Sequence, residues 1–174
     1  PVVIALEHGN ALRIRELSPF DTAHGPGLLH GLADWVGATL LPALARQFRL
    51  DLNPHTTCVA GSSMGGLAAL AAHLHRPDVF GNVISMSPSL FLGRGGIFGV
   101  LGKTSKPWFT KVYLDAGGQE AGGRLLQHAE RLQQQLRQQG WQTFEVMYRP
   151  VKTGQHNEKH WRRRMPKALK WVYG

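Results

Sequence analysis

Short apolar runs that alternate with helical patterns constrain the fold of this chain more than any other feature. Residues 2–6, 56–60 and 82–86 are rich in β-branched and other apolar residues, which is typical of strands buried on both faces of a parallel sheet. Between them, apolar residues recur at helical spacing over residues 28–48, and residues 67–74 are rich in Ala and Leu. This alternation predicts an α/β architecture with a mostly parallel sheet flanked by helices.

The second half of the chain continues the same alternation. Residues 111–115 and 143–148 predict two more strands, which brings the expected total to about five. Residues 124–139 and 161–173 predict two helices, and the Gly-rich stretch 93–106 predicts an irregular excursion.

The beginning of the sequence affects how its length is interpreted. The predicted strand at residues 2–6 opens the sequence, with no Met and no signal peptide before it. Because a domain rarely begins within a strand, we expect the 174 residues to be one domain that lacks strands at its N-terminus. The compartment stays open, with the cytoplasm slightly favoured.

Composition and charge exclude several classes of protein. The chain is 43% apolar, yet it has no run near the roughly 18 apolar residues that span a membrane. A lone Cys58 excludes an internal disulfide, and Cys-rich zinc spacing is absent, so we expect neither metal nor cofactor. The net charge is +9, but the basic residues are scattered apart from residues 162–164, which predict a solvated helix face. We therefore expect no nucleic-acid partner.

A G-x-S-x-G sequence joins a predicted strand to a predicted helix at residues 61–65. In a nucleophile elbow of this kind the central serine, here Ser63, lies on a tight, strained turn at the end of the sheet. Small residues at Gly61 and Gly65 are expected to let strand and helix approach. The backbone N–H of Met64 would point towards a developing oxyanion. The surrounding strand and helix favour a catalytic nucleophile over an ordinary Gly-rich turn.

A serine nucleophile needs a general base, and His156 has the best position among the nine histidines. It follows the last predicted strand, where the order serine, acid, histidine of such hydrolases requires it. His160 is its main competitor, although it is expected on the closing helix. Several other histidines fall on predicted helices or at the wrong end of a strand: His55, His73, His75 and His128.

Two carboxylates are candidates for the acid that orients the base. Asp115 lies where the predicted strand 111–115 ends, and Glu120 lies in the loop beyond it. Either side chain could reach Nδ1 of His156, and periodicity does not choose between them.

Four segments of the chain, in order, resemble the putative esterase family, which includes enterochelin esterases, feruloyl esterases, S-formylglutathione hydrolases and mycolyltransferases. They are the elbow, residues 85–90, residues 113–120 and the ending at residues 154–161 with its G-x-H-N-E-x-x-W pattern. The resemblance implies an α/β-hydrolase fold over residues 1–174, incomplete at its N-terminus.

The resemblance also implies roles for individual residues. Ser63 matches the family nucleophile, His156 matches the base, and Glu120 is preferred over Asp115 as the acid. A serine esterase of this kind works through an acyl-enzyme, with the Met64 N–H as one oxyanion donor. The second donor normally lies upstream of this sequence, so we expect residues 1–174 alone to be weakly active or inactive, since losing one donor costs about 10²–10³ in rate.

The ester itself is less constrained than the reaction. Basic residues near the opening of the expected active site could attract an anionic ester such as a catecholate siderophore: Arg13, Arg15, Arg94, Lys103 and Lys152. Trp108 or Trp161 could stack on an aromatic acyl group. For each, a surface or packing role is the alternative. An acyltransferase with the same triad and a non-catalytic binding domain are the competing functions.

Overall fold

Four parallel strands form the centre of the protein in the computed structural model, which describes residues 1–107 and 109–174. The strands are β1 (Cys58–Ser62), β2 (Asn82–Met86), β3 (Lys111–Gly117) and β4 (Val146–Val151), and they pair in the order β1-β2-β3-β4. The α-helices are α1 (Arg13–Glu16), α2 (Leu29–Trp35), α3 (Leu41–Ala45), α4 (Met64–His75), α5 (Leu92–Lys103), α6 (Arg124–Gln138) and α7 (Glu158–Tyr173). Short 3₁₀ turns cover Asn10–Leu12 and Glu120–Gly123.

Side chains that alternate along the central strands separate two buried faces. On one face, Val83 of β2 and Leu114 of β3 pack with residues of α4, α5 and α6. On the other face, Ile84 and Tyr113 pack with Ala168 of α7. This period of two is what strands require when both faces are covered by helices. The helices between successive strands therefore share one face, and among the described elements α7 covers the other.

The predicted strand at residues 2–6 is wrong. Residues 1–9 have no regular secondary structure and are exposed, including Val3 and Leu6. A strand is stable only when a neighbour pairs with its backbone, and within the described residues β1 pairs with β2 alone. The described sheet therefore has four strands rather than about five, with β1 at its edge.

The stretch 93–106 is also more regular than predicted, because α5 covers most of it. Three successive residues at its start, Gly93, Arg94 and Gly95, are left-handed, with φ of 58°, 56° and 76°. Beyond this kink the helix buries Ile97 and Leu101 in the core. Apolar burial at helical spacing therefore prevails over the high glycine content.

The remaining predicted elements are present, and most of them have shifted ends. The helix predicted at residues 28–48 is α2 and α3 joined by a π-helical stretch, Val36–Leu40. Strand β4 lies three residues later than predicted, and α7 begins at Glu158 because the side chain of Asn157 caps it. In the described residues no helix is both long and apolar enough to cross a membrane.

Candidate active site

The elbow between β1 and α4 holds Ser63 in a conformation that L-residues rarely adopt, with φ 57° and ψ −122°. Its N–H donates to the carbonyl of Met86, at 2.9 Å, which ties the turn to the end of β2. A Cβ on Gly61 would lie 2.2 Å from the Gly65 oxygen, and one on Gly66 would lie 2.8 Å from the Met86 oxygen. A Cβ on Gly65 would meet nothing within 4 Å. The close approach of strand and helix thus depends on Gly61, as predicted, and on Gly66. The prediction that Gly65 is also needed for it is wrong.

His156 lies beside this serine, in the loop between β4 and α7. Its Nε2 is 2.8 Å from Ser63 Oγ, although the two residues are 93 positions apart in the sequence. The ring of Trp161 packs edge-on against the imidazole, with centroids 4.9 Å apart. Because α7 begins two residues after His156, the helix cap fixes the loop that carries the imidazole.

Glu120, not Asp115, is the carboxylate that contacts the imidazole. Glu120 Oε2 lies 3.2 Å from His156 Nδ1, while its other oxygen accepts a hydrogen bond from Ser87 Oγ, at 2.8 Å. The Glu120 side chain is fully buried, whereas that of His156 is 37% exposed. Ser63, His156 and Glu120 therefore form one hydrogen-bonded chain that runs from the surface into the interior.

Asp115, by contrast, is hydrogen-bonded to a different set of partners. It accepts hydrogen bonds from Arg164 Nη1 at 2.8 Å, Tyr113 Oη at 3.2 Å and the Ser87 N–H at 3.2 Å. Burial raises the pKa of Asp115 to about 6, although the Arg164 guanidinium opposes the shift. The same burial and the adjacent carboxylate raise the pKa of Tyr113.

Two further polar side chains lie near the elbow, one against Ser63 and one against Met64. Ser89 Oγ lies 3.4 Å from Ser63 Oγ, and Arg13 Nη1 lies 3.8 Å from the sulfur of Met64. Met64 is the first residue of α4, so its N–H belongs to the first turn, whose N–H groups have no partner within the helix. A backbone donor thus follows the serine directly, and a guanidinium lies against the side chain of Met64.

The other residues considered from the sequence lie elsewhere or have structural contacts. His160 lies in α7, where its Nδ1 accepts from the Gln155 N–H, and His73 is buried in α4 against the Phe80 carbonyl. Trp161 donates its Nε1–H to Ser87 Oγ, and Trp108 lies outside the described residues. Across residues 1–107 and 109–174, no three His, Cys, Asp or Glu side chains cluster as metal ligands do.

Arg164 and Ser87 are the residues near the site that sequence reasoning missed. The run 162–164 was expected to be a solvated face, which holds for Arg162 and Arg163 but not for Arg164, which is 5% exposed. One signal was available: Arg164 falls at helical spacing from Ala168, on the side of α7 that faces the core. A cation at a core-facing position indicates a buried anionic partner.

A parallel sheet flanked by helices, with a serine on a strained strand-to-helix turn at the carboxyl ends of its strands, defines an α/β-hydrolase fold. The chain belongs to the putative esterase family, whose model matches residues 19–172, so the family predicted from the sequence is confirmed.

Individual relatives support the same family. The chain is 24% identical to the uncharacterized protein YbbA of Bacillus subtilis, over 99% of this chain and 73% of that protein. It is 30% identical to the iron(III) salmochelin esterase of Escherichia coli, over 61% of this chain and 28% of that protein. The enterobactin esterase FES of Shigella flexneri, whose structure was determined in the presence of 2,3-dihydroxy-N-benzoyl-serine, superposes with a TM-score of 0.76 at 27% identity. That superposition covers 94% of this chain and 40% of the Shigella protein.

Proposed function

We propose that this chain carries the active site of a carboxylic ester hydrolase that works through an acyl-enzyme on Ser63. The observation that carries the proposal is the hydrogen-bonded chain from Ser63 Oγ through His156 to Glu120, with contacts of 2.8 and 3.2 Å. Membership of the putative esterase family supports it. A serine hydroxyl is a weak nucleophile by itself, and a positioned imidazole with an orienting carboxylate is the arrangement that activates it.

The reaction proceeds in two halves. As Ser63 Oγ bonds to the ester carbonyl carbon, its proton passes to His156 Nε2, while Nδ1–H donates to Glu120 Oε2. The carbonyl oxygen becomes an oxyanion, which the Met64 N–H stabilises. The C–O bond to the leaving alcohol breaks, and the alcohol takes the proton from His156. Water then attacks the acyl-enzyme with His156 as base, which releases the acid and restores Ser63.

The substrate class follows from what surrounds the serine. Arg13 Nη1 lies 3.8 Å from the sulfur of Met64, and this positive charge near the elbow favours an ester with an anionic or catecholate acyl group. Relatives named for salmochelin and enterobactin support a siderophore-type ester. We propose an aromatic, anionic ester as the preferred substrate.

Substitution of the nucleophile tests the reaction. In the full-length protein, Ser63→Ala should lower kcat for p-nitrophenyl acetate about 10⁶-fold, because nucleophile and base act as a unit. A fluorophosphonate should label Ser63, as located by peptide mass spectrometry, and should fail to label the variant. Ser62→Ala, at the last residue of β1, is the matched control and should keep turnover and labelling. Turnover retained by Ser63→Ala would refute the assignment.

An ester panel tests the substrate class. Arg13→Gln should raise KM for an anionic aromatic ester while leaving KM for neutral p-nitrophenyl acetate unchanged, because only the former carries charge for the guanidinium to attract. Arg46→Gln, at an exposed position after α3, controls for the loss of one positive charge. Equal effects of the two variants would exclude a specific role for Arg13.

A further inference from the structure

Three buried charged groups meet behind the serine and the imidazole. Two are the carboxylates of Asp115 and Glu120, whose side chains are 0% exposed, and the third is the guanidinium of Arg164, which is 6% exposed. Taking a charge out of water costs several kcal/mol per ion, so such groups persist only where each is paired and hydrogen-bonded. With both carboxylates ionised, the group holds one more negative than positive charge.

The guanidinium divides its donors between the two carboxylates. Nη1 donates to Asp115 Oδ1 at 2.8 Å, and Nη2 donates to Glu120 Oε1 at 3.2 Å and to Ser87 Oγ at 3.1 Å. Nε donates to the carbonyl of His160, one turn earlier in α7, at 3.3 Å. Every nitrogen of the planar fork therefore has an acceptor, which fixes the guanidinium in one orientation.

The consequence for Glu120 is that its two oxygens do different things. Oε1 is held from behind by Arg164 and by Ser87 Oγ, and Oε2 is left to face His156 Nδ1. A carboxylate without that rear contact could rotate or move away from the imidazole, and a displacement of about 1 Å can cost about 10²-fold in rate.

We propose that Arg164 is a positioning residue of the active site, which holds the Glu120 carboxylate directed at His156 while it also pairs with the neighbouring Asp115. This inference rests on the proposed esterase function. The excess negative charge of the group faces the imidazole, so protonation of His156 during attack by Ser63 brings the whole group to neutrality. Arg164 thus determines the net negative charge that lies beside the imidazolium of His156.

Among the described residues, the titratable or charged groups around this cluster come from β3, the turn after it, β4, the loop after β4 and α7. Tyr113 and Asp115 come from β3, Glu120 from the turn after it, and Arg164 from α7, where His160 contributes its backbone carbonyl. Arg149 of β4 pairs in register with Asp115 and acts electrostatically on Tyr113. His156 itself completes the set. Among these, Arg164 is the cation that contacts both carboxylates.

Three substitutions in the full-length protein separate charge from geometry. Arg164→Met removes the cation with little change in length, Arg164→Lys keeps the charge but loses the fork, and Asp115→Asn removes the competing carboxylate. The measurement is the dependence of kcat/KM for p-nitrophenyl acetate on pH, normalised to the sites that a fluorophosphonate titrates.

The expected shifts have opposite signs. Arg164→Met should move the acidic limb of the profile up by about one pH unit, because removal of a cation favours the protonated form of the groups beside it. It should also lower kcat by about 10²-fold. Asp115→Asn should move the limb to lower pH, since Arg164 then serves Glu120 alone. Arg164→Lys should leave the limb near that of the parent while still lowering kcat. A limb that moves in Arg164→Met but not in Arg164→Lys is a result that a purely structural role would not produce.

A second measurement does not depend on turnover. The hydrogen bond between His156 Nδ1–H and the Glu120 carboxylate should give a low-field proton resonance by NMR, and Arg164→Met should weaken it or move it upfield. The buried His73, held by the Phe80 carbonyl at 2.7 Å, supplies an internal control for folding. If Arg164→Met fails to fold, the direction of the Asp115→Asn shift decides.

Specific outcomes overturn the inference. An unchanged limb and an unchanged His156 resonance in folded Arg164→Met would remove Arg164 from the site, as would an upward shift in Asp115→Asn. If the parent protein neither turns over esters nor reacts with the fluorophosphonate, the proposed function fails, and the His156 resonance still tests whether Arg164 positions Glu120.

Discussion

The middle of the sheet and the carboxyl ends of its strands differ in backbone conformation: the middle is regular, and the carboxyl ends contain strained turns. In the middle, Val83 and Val112 are completely buried and lie in regular parallel strands. At the carboxyl ends, three residues other than glycine have positive φ: Ser63 at 57°, Ser87 at 43° and Ala121 at 47°. Such conformations cost on the order of 1–3 kcal/mol each and persist only where the surroundings enforce them.

The way the strain is held explains this division. Ser63 follows β1 and donates its N–H to the Met86 carbonyl at the end of β2, and Ser87 follows β2 and donates to the Asp115 carbonyl of β3, both at 2.9 Å. Each strained turn is thus anchored to the next strand. Packing in the regular part of the sheet stabilises the fold. This stabilisation offsets the strain at the carboxyl ends, where polar groups are held in fixed positions.

In this comparison, the largest expected effect of a substitution is a loss of kcat, and it concerns Glu120 at the carboxyl ends of the strands. Glu120→Gln should lower kcat about 10⁴-fold, because the amide cannot stabilise an imidazolium and favours the wrong tautomer of His156. The fold should survive, as judged by thermal unfolding. Glu130→Gln, an exposed position on α6, is the matched control and should retain activity. A loss for both variants would mean that the effect is not local to the site.

The middle of the sheet should respond in the opposite way. Leu132→Ala empties a completely buried position of α6 and should lower the free energy of unfolding by about 2–5 kcal/mol. Its kcat per folded molecule should stay at the parent value. Leu52→Ala, at a side chain that is 42% exposed, should change stability by no more than about 0.5 kcal/mol. Urea titration measures both, and an altered kcat in Leu132→Ala would break the distinction between regions.

The elbow offers a test in which the two regions meet. Gly61→Ala should destabilise the protein by about 1–3 kcal/mol, because its Cβ would collide with the Gly65 carbonyl and push α4 away from β1. Gly65→Ala should be neutral or stabilising by up to about 1 kcal/mol, since its Cβ meets open space in a helix. Equal destabilisation by both substitutions, measured by urea titration, would contradict this account of the motif.

The smallest expected effect is a pH dependence that arises away from the site. Burial lowers the pKa of His73, so unfolding takes up a proton once the pH falls below about 6.5, and stability should decline from there. His73→Gln should show a shallower decline between pH 6.5 and 5. Asp115, with its pKa raised to about 6, contributes the opposite slope, but it is present in both proteins. Identical slopes would show that His73 is not the group responsible.

Much of the fold could be predicted because short, uniformly apolar segments have few alternatives. The strand at residues 82–86 was predicted with its observed limits, and the helix after the elbow follows from its Ala and Leu content. The strand at residues 2–6 was wrong because an apolar run specifies burial but not a partner. The Gly-rich stretch 93–106 was misjudged because burial of Ile97 and Leu101 outweighs the weak helix propensity of glycine.

By itself, the sequence determined the α/β architecture, the family and the choice of Ser63 and His156 as candidates, because these depend on local patterns and on the order of motifs along the chain. Only the tertiary structure decided which carboxylate faces the imidazole and that Arg164 is buried behind it. Those outcomes depend on contacts between residues far apart in the sequence: Glu120 and His156 are separated by 36 positions, and Glu120 and Arg164 by 44. Periodicity assigns a side chain to a face, whereas the packing of α7 against β3 determines which charges meet there.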